Sequence, residues 1–329
     1  MVQLQLQTVA KTKSLTSLRK GETKLGETLL HIIHLDELQN SDANFVIFGI
    51  AEDLGVQANF GQAGAKNAWD AFIRAFVNVQ ESQYNQGKQI LLLGCISLEK
   101  EPNPNHPEDL GITIEAIDEK VAQLVQHIVA SGKIPIGIGG GHNNAFGFLK
   151  GSSAALDRKL QVINIDAHTD LRTPDYRHSG NGFSYAIDEG FLKHYTAFGL
   201  HKNYTPQYIF DAYSNNPGID LIFFEDMLLV AEQLRQFKEV LQAHVGQDFG
   251  LELDCDAIAH FSSSAQTPSG FTLETIRLLT QLAFRKKGIT YLHIAEAAPT
   301  NDSKNQIGKA LIFIVTDCIR AFGNSSVHI

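Results

Sequence analysis

Short apolar runs recur along this chain with longer amphipathic stretches between them, and that alternation restricts the fold more than any other feature. The runs are residues 45–50, 90–93, 134–138, 162–165, 195–200, 221–224, 249–253 and 290–294. Most are rich in Ile, Val, Leu and Phe and lack a clean apolar–polar alternation. A strand exposed on one face alternates; a strand covered on both faces reads as a continuous apolar run. The stretches between carry the helical period instead. In 114–131 the apolar positions Ile117, Val121, Leu124, Val125 and Ile128 fall on one helix face. Residues 228–243, 271–285 and 306–321 read the same way. Strand and helix in alternation predict an α/β protein, a three-layer α/β/α sandwich whose mainly parallel sheet has about eight strands.

At about 150 residues per domain, 329 residues could make two domains. No polar stretch reads as a flexible linker, so one domain over 1–329 is expected. Residues 1–43 are polar and locally basic, and are expected to form a surface arm or an added helix and strand. The chain is 43% hydrophobic and 19% charged, which supports a sizeable core and excludes a disordered chain. Its formal net charge of −9 repels phosphate backbones and anionic membranes. Neither nucleic acid nor membrane is therefore expected as a partner. No run approaches the roughly 18 apolar residues of a membrane span, and the first seven residues lack a secretory apolar block. Cys95, Cys255 and Cys318 are far apart and odd in number, which fits a reducing compartment. A cytoplasmic location is expected.

In open α/β sheets, ligands collect at the carboxyl ends of the strands. After 134–138 comes Gly139-Gly140-Gly141-His142-Asn143-Asn144. After 162–165 comes Asp166-Ala167-His168-Thr169-Asp170, after 249–253 Asp254-Cys255-Asp256, and after 290–294 Ala295-Glu296. If the strand direction continues, Asp166, His168 and Asp170 point to one side, as do Asp254 and Asp256. Cys255 then points away, into packing. So many carboxylates and imidazoles on one face would repel and lose hydration without cations. Four carboxylates and two imidazoles can hold two divalent ions if some carboxylates bridge, and an oxygen-rich set with some imidazole favours manganese-type ions. The glycine run lets the backbone pass close to its neighbours and frees His142 to reach inward.

The order GGGHNN, INIDAHTDLR, LELDCDAI, AEAAPT resembles the ureohydrolase superfamily, which includes arginase, agmatinase and formimidoylglutamase. The resemblance runs from about residue 45 to about residue 320. It implies an arginase-like fold and a binuclear centre of two Mn2+ per chain. His142, Asp166, Asp170 and Asp254 would hold one ion, and Asp166, His168, Asp254 and Asp256 the other. It also implies a homo-oligomer, trimeric or hexameric. Glu52-Asp53-Leu54-Gly55-Val56, Asn59-Phe60-Gly61 and Gly64-Ala65 look like the formimidoylglutamase pattern. Arginases place a histidine where Phe183 falls. Gln62 stands where formimidoylglutamases carry arginine, Asn143 where an acidic residue is usual, and Asn181-Gly182 where Thr-Pro is usual.

The resemblance implies hydrolysis of a carbon–nitrogen bond in a linear amidine, with N-formimino-L-glutamate as substrate and glutamate and formamide as products. A guanidino substrate (agmatine, arginine or a guanidino acid) is the alternative, and a non-catalytic metal-binding relative the alternative of another class. Asp170 would accept or relay a proton. Glu296 would bind the amidine, or else partner a backbone amide. Arg172 would meet a substrate carboxylate, or else brace Asp170. Ser179 and Asn181 would contact the substrate from the loop over the site. His178 reads as an exposed loop histidine, with a proton shuttle as the sharper alternative. Trp69 is expected to pack a helix against the sheet.

Overall fold

The computed structural model describes residues 1–244 and 246–323. Its strands are β1 (Val2–Leu6), β2 (Phe45–Ala51), β3 (Ile90–Leu98), β4 (Ile134–Ile138), β5 (Leu160–Ile165), β6 (Leu192–Leu200), β7 (Ile219–Phe223), β8 (Phe249–Asp254) and β9 (Ile289–Ala295). They form one sheet in the order β1-β3-β2-β4-β9-β8-β5-β6-β7. Every neighbouring pair is parallel except β1 with β3. The expected eight runs are β2 to β9. The ninth strand comes from the first 43 residues, which add β1 at the edge and α1 (Val9–Leu15) after it. Antiparallel pairing there is consistent with the alternating Val2-Gln3-Leu4-Gln5-Leu6, since an edge strand need not be apolar on both faces.

The remaining helices are α2 (Leu54–Ala58), α3 (Ala68–Phe76), α4 (Gly111–Ala130), α5 (Ala145–Leu156), α6 (Gly182–Asp188), α7 (Gln207–Tyr213), α8 (Val230–Ala243), α9 (Leu273–Phe284) and α10 (Lys304–Ala321). They lie on both sides of the sheet. Phe45 and Ile47 of β2 join a core with Phe72 and Phe76 of α3, Phe237 of α8, Leu279 of α9 and Ile314 of α10. Val46 and Phe48, the alternate residues of β2, join a second core with Ile117 and Val121 of α4, Phe148 of α5 and Phe183 of α6. Successive side chains thus enter opposite layers, and both layers are built of buried apolar residues. Trp69 packs as expected: a Cβ on Gly49 of β2 would fall 2.2 Å from its indole.

Helix α5 was not legible from periodicity. Gly147, Gly151, Ser152 and Ser153 are weak helix formers. Packing explains the glycines: a Cβ on Gly151 would sit 2.3 Å from the Ala122 carbonyl oxygen of α4. The close α4–α5 contact matters because α5 begins just after His142. Among the described residues, no helix is long and apolar enough to cross a membrane.

Candidate metal centre

The centre is assembled at the carboxyl ends of β2, β4, β5, β8 and β9. Beyond β4 the backbone turns through Gly139 and Gly140, whose φ angles of +88° and +77° lie where side chains are rarely tolerated. One 3-10 turn, His142–Asn144, then leads into α5. Glu52, at the end of β2, ties this loop down. Its Oε1 accepts from the Gly141 amide at 3.1 Å and from the side-chain amides of Asn143 at 3.3 Å and Asn144 at 2.5 Å. Its Oε2 accepts from the Leu54 amide at 2.8 Å. Sequence reasoning missed this role, although a glutamate ending a buried strand was the available signal.

Asp166 and Asp254 end their strands in the same way. Each uses Oδ1 to accept the backbone N–H two residues on, from His168 and Asp256 respectively, both at 2.7 Å. Each aims Oδ2 at His142 Nδ1, at 3.2 Å for Asp166 and 3.1 Å for Asp254. Asp170 Oδ2 completes the set at 2.9 Å. Four ligand atoms, one each from His142, Asp166, Asp170 and Asp254, lie within 4.8 Å of one another. His142 Nδ1 is buried among three carboxylate oxygens without a hydrogen bond aligned to any of them. One imidazole nitrogen cannot satisfy three acceptors, whereas a divalent cation can. The donor set therefore fits an oxygen-preferring ion with one imidazole.

The expected strand-like alternation of Asp166, His168 and Asp170 is not what brings them in. β5 ends at Ile165, and Asp170 reaches His142 because its φ of +47° turns the chain back. His168 points the other way, its Nδ1 3.6 Å from Asp166 Oδ1 and 3.9 Å from Asp256 Oδ2. Asp256 also accepts the Ala265 amide at 2.9 Å. The second expected set of ligands is thus gathered more loosely than the first.

Electrostatics agree with a site built for cations. Burial, with Asp256 and Asp166 nearby, pushes Asp254 well above the carboxylate range. Burial and Asp166 raise Asp170, and burial raises Asp256. Burial opposes charge on His142 and His168, but the surrounding carboxylates prevail. They hold His142 well above its ordinary value and His168 at about 9. Asp166 is the exception: His142 and His168 outweigh its burial and hold it low.

Glu296 follows β9 with φ +63°, a second non-glycine residue in the left-handed region at this edge. Such backbone costs on the order of 1–3 kcal/mol and clusters at functional sites. Of the two readings of Glu296, the structure shows the backbone-amide partner. Its Oε1 accepts the His142 backbone N–H at 2.6 Å, and its Oε2 is buried without a partner. Burial and Asp256 push its pKa up to about 8. Glu296, Asp170, Asp254, Asp256 and His168 line one cavity of about 270 Å³. Phe60, Tyr204 and Tyr208 also border it.

The loop residues divide. Arg172 lines the cavity and is exposed. Among the described residues it makes no ion pair with Asp170. Ser179 also lines the cavity, its Oγ accepting from Asn59 Nδ2 at 3.2 Å. Asn181, expected to contact substrate, is turned away. Its Oδ1 accepts from Arg177 Nη1 and the His178 amide, both at 3.1 Å, and its Nδ2 donates to the Tyr176 carbonyl at 2.8 Å. His178 is buried rather than exposed. Its Nδ1 accepts the Gly180 amide at 3.1 Å, and burial lowers its pKa to about 4. Arg177, which sequence reasoning passed over, is the anchor of this loop. Its guanidinium donates to Asp118 at 2.7 Å and to the Asn143 carbonyl at 3.1 Å, and lies over the rings of both Phe146 and Tyr185. Cys255 is buried in the core as expected.

A mainly parallel sheet carrying a carboxylate–imidazole cage at its strand ends makes this a candidate metal centre of an α/β protein. The arginase family model matches residues 43–319, and the chain belongs to the arginase family. Membership makes it a hydrolase of carbon–nitrogen bonds. The formimidoylglutamase of Staphylococcus epidermidis is 26% identical over 277 residues, covering 83% of this chain and 85% of that protein. That of Macrococcus caseolyticus is 27% identical over 269 residues, covering 80% of each. The fold matches Trypanosoma cruzi formiminoglutamase with Mn2+ at a TM-score of 0.75 and 19% identity, over 92% of this chain and 99% of that one. It matches the Bacillus subtilis formimidoylglutamase at 0.76 and 14% identity, over 93% of each.

Proposed function

We propose that this chain hydrolyses N-formimino-L-glutamate to L-glutamate and formamide, with two Mn2+ per chain. The observation that carries the reading is the shared cavity: Asp170 and Asp254 of the carboxylate–imidazole cage, Glu296 with its unpartnered oxygen, and Arg172 all line it. The formimidoylglutamase relatives support it, as does the fold shared with a formiminoglutamase solved with Mn2+. His142, Asp166, Asp170 and Asp254 would hold one ion, and Asp166, His168, Asp254 and Asp256 the other. When bound, such ions acidify water so that hydroxide is available at neutral pH.

The chain's own groups do the rest. The free Oε2 of Glu296 receives the amidine N–H groups in a charge-assisted hydrogen bond, while Oε1 stays fixed on the His142 amide. Asp170 accepts a proton and relays it toward the leaving amine. Arg172 pairs with a carboxylate of the substrate tail, and Ser179 offers a hydroxyl beside it. The surrounding walls of the cavity exclude bulk water from the amidine carbon.

A guanidino acid is the second reading, and one observation favours it. Arg172 is the one cationic side chain on the cavity lining among the described residues, apart from histidine. A tail with a single carboxylate would be matched by it. We also read residues 1–329 as one catalytic domain, from the lack of a linker-like stretch, as cytoplasmic, from the scattered odd cysteines, and as a homo-oligomer, trimeric or hexameric, from the family resemblance. The deciding experiment is glutamate release from N-formimino-L-glutamate by the Mn2+-loaded protein. Release establishes the substrate. No release from a protein with both ions bound rejects that substrate and sends the assay to guanidino acids, agmatine and arginine.

A further inference from the structure

Behind the cage, on the side away from the cavity, lies a buried pair that no step above uses. Glu252 of β8 and His293 of β9 are adjacent in the sheet and fully buried. Glu252 Oε2 lies 2.7 Å from His293 Nδ1 and 3.5 Å from His142 Nε2. His293 Nε2 donates to the Gly139 carbonyl at 3.2 Å. That carbonyl belongs to the glycine turn that carries His142. The His293 ring also stacks on Phe148 of α5, with centroids 4.7 Å apart. The pair is thus fixed by sheet register, by a backbone carbonyl and by a ring on the helix that follows His142.

We propose that Glu252 and His293 are positioning residues for the metal ligand His142. Glu252 faces the Nε2 edge of the imidazole at 3.5 Å, a contact not yet aligned as a hydrogen bond, and is the acceptor that would hold the hydrogen on Nε2 when the ring seats on its ion. The Nδ1 lone pair is left for the ion among Asp166, Asp170 and Asp254. His293 holds the Glu252 carboxylate in place and ties it to the glycine turn, so ring and turn move together. An apolar residue at 252 would leave Nε2–H buried without an acceptor and the ring free to present either nitrogen. A third ion held by His142, Glu252 and His293 is the rival use of these groups. It fits less well because both nitrogens of His293 already have partners.

The inference rests on His142 being a metal ligand, and the test separates the two. Mn2+ is titrated into the full chain and free ion is followed by electron paramagnetic resonance. Wild type binding no Mn2+ removes the metal reading itself. With wild type binding, Glu252→Leu should weaken the ion held by His142 by about 10- to 100-fold. Glu252→Gln, isosteric and still an acceptor, should stay within a few-fold of wild type. Wild-type affinity in Glu252→Leu overturns the proposal, as does a third ion that disappears with Glu252. A second measurement needs no variant, so it decides even if Glu252→Leu fails to fold. In nitrogen-15 histidine spectra of the Zn2+-loaded wild type, His142 should coordinate through Nδ1 and carry an exchange-protected Nε2–H. Coordination through Nε2, or an Nε2–H exchanging freely with water, overturns it.

Discussion

At the scale of single residues, the centre works by dividing the labour of each carboxylate between its two oxygens. Asp166 and Asp254 give one oxygen to their own turn and one to the cage. Glu296 gives one to the His142 amide and keeps one free. Asp166→Ala should therefore abolish both metal retention and turnover, measured as Mn2+ per chain after gel filtration and as product release; full activity would remove Asp166 from the centre. Arg172→Ala should raise KM for a substrate with an anionic tail by roughly 10- to 100-fold, from the worth of a charged hydrogen bond of about 1.5–3 kcal/mol. It should leave an uncharged-tail analogue nearly unaffected; equal losses on both would deny Arg172 the tail. The cage residues were readable because each stands at or within about five residues of the end of an apolar run. Asn181 was misread for a physical reason: a loop position says nothing of which way an amide turns, and this one is taken up by Arg177 and Tyr176.

At the scale of elements, the strands were legible and several helices were not. Runs covered on both faces announce themselves, whereas α5 hides behind glycines that its contact with α4 requires. The loop between β5 and α6 was legible only as polar. Its shape depends on the Arg177–Asp118 pair, formed across 59 positions of sequence, which no local pattern reports. Both partners are buried. Arg177→Ala would leave Asp118 buried without its cation and should cost about 3–5 kcal/mol in urea unfolding. Arg177→Ala combined with Asp118→Ala should recover part of that loss. If the single variant unfolds like wild type, the pair does not anchor the loop.

At the scale of the whole molecule, the perturbed groups of the centre make stability depend on pH in one direction above pH 5. Glu296 has a folded pKa raised from 4.5 to about 8, so its contribution is present below 4.5 and is lost as pH rises through 8. His168, raised from 6.5 to about 9, likewise contributes below 6.5 and loses that contribution through 9. Asp170, Asp254, Asp256 and His142 are shifted upward too. Asp166 is shifted the other way, and its contribution disappears only on acidification below the ordinary carboxylate range. His178, lowered to about 4, gains stability as pH rises toward 6.5, so the metal-free protein should lose stability from pH 6.5 to pH 8, while bound Mn2+ replaces the protons. The rise in Tm on adding Mn2+ should grow over that interval in differential scanning fluorimetry; a rise that is flat or shrinks with pH would contradict it.

The strand order has one more consequence, for how the molecule is made. β9, the last strand of the described residues, lies between β4 and β8 and joins the early half of the sheet to the late half. During synthesis, everything from β1 to β8 leaves the ribosome before the strand that links them. His142 belongs to one half, and Asp166, Asp170 and Asp254 to the other. A nascent chain halted before β9 carries all six expected ligands yet lacks the keystone that brings the two sets together, so a chain cut short there should be inert rather than partly active.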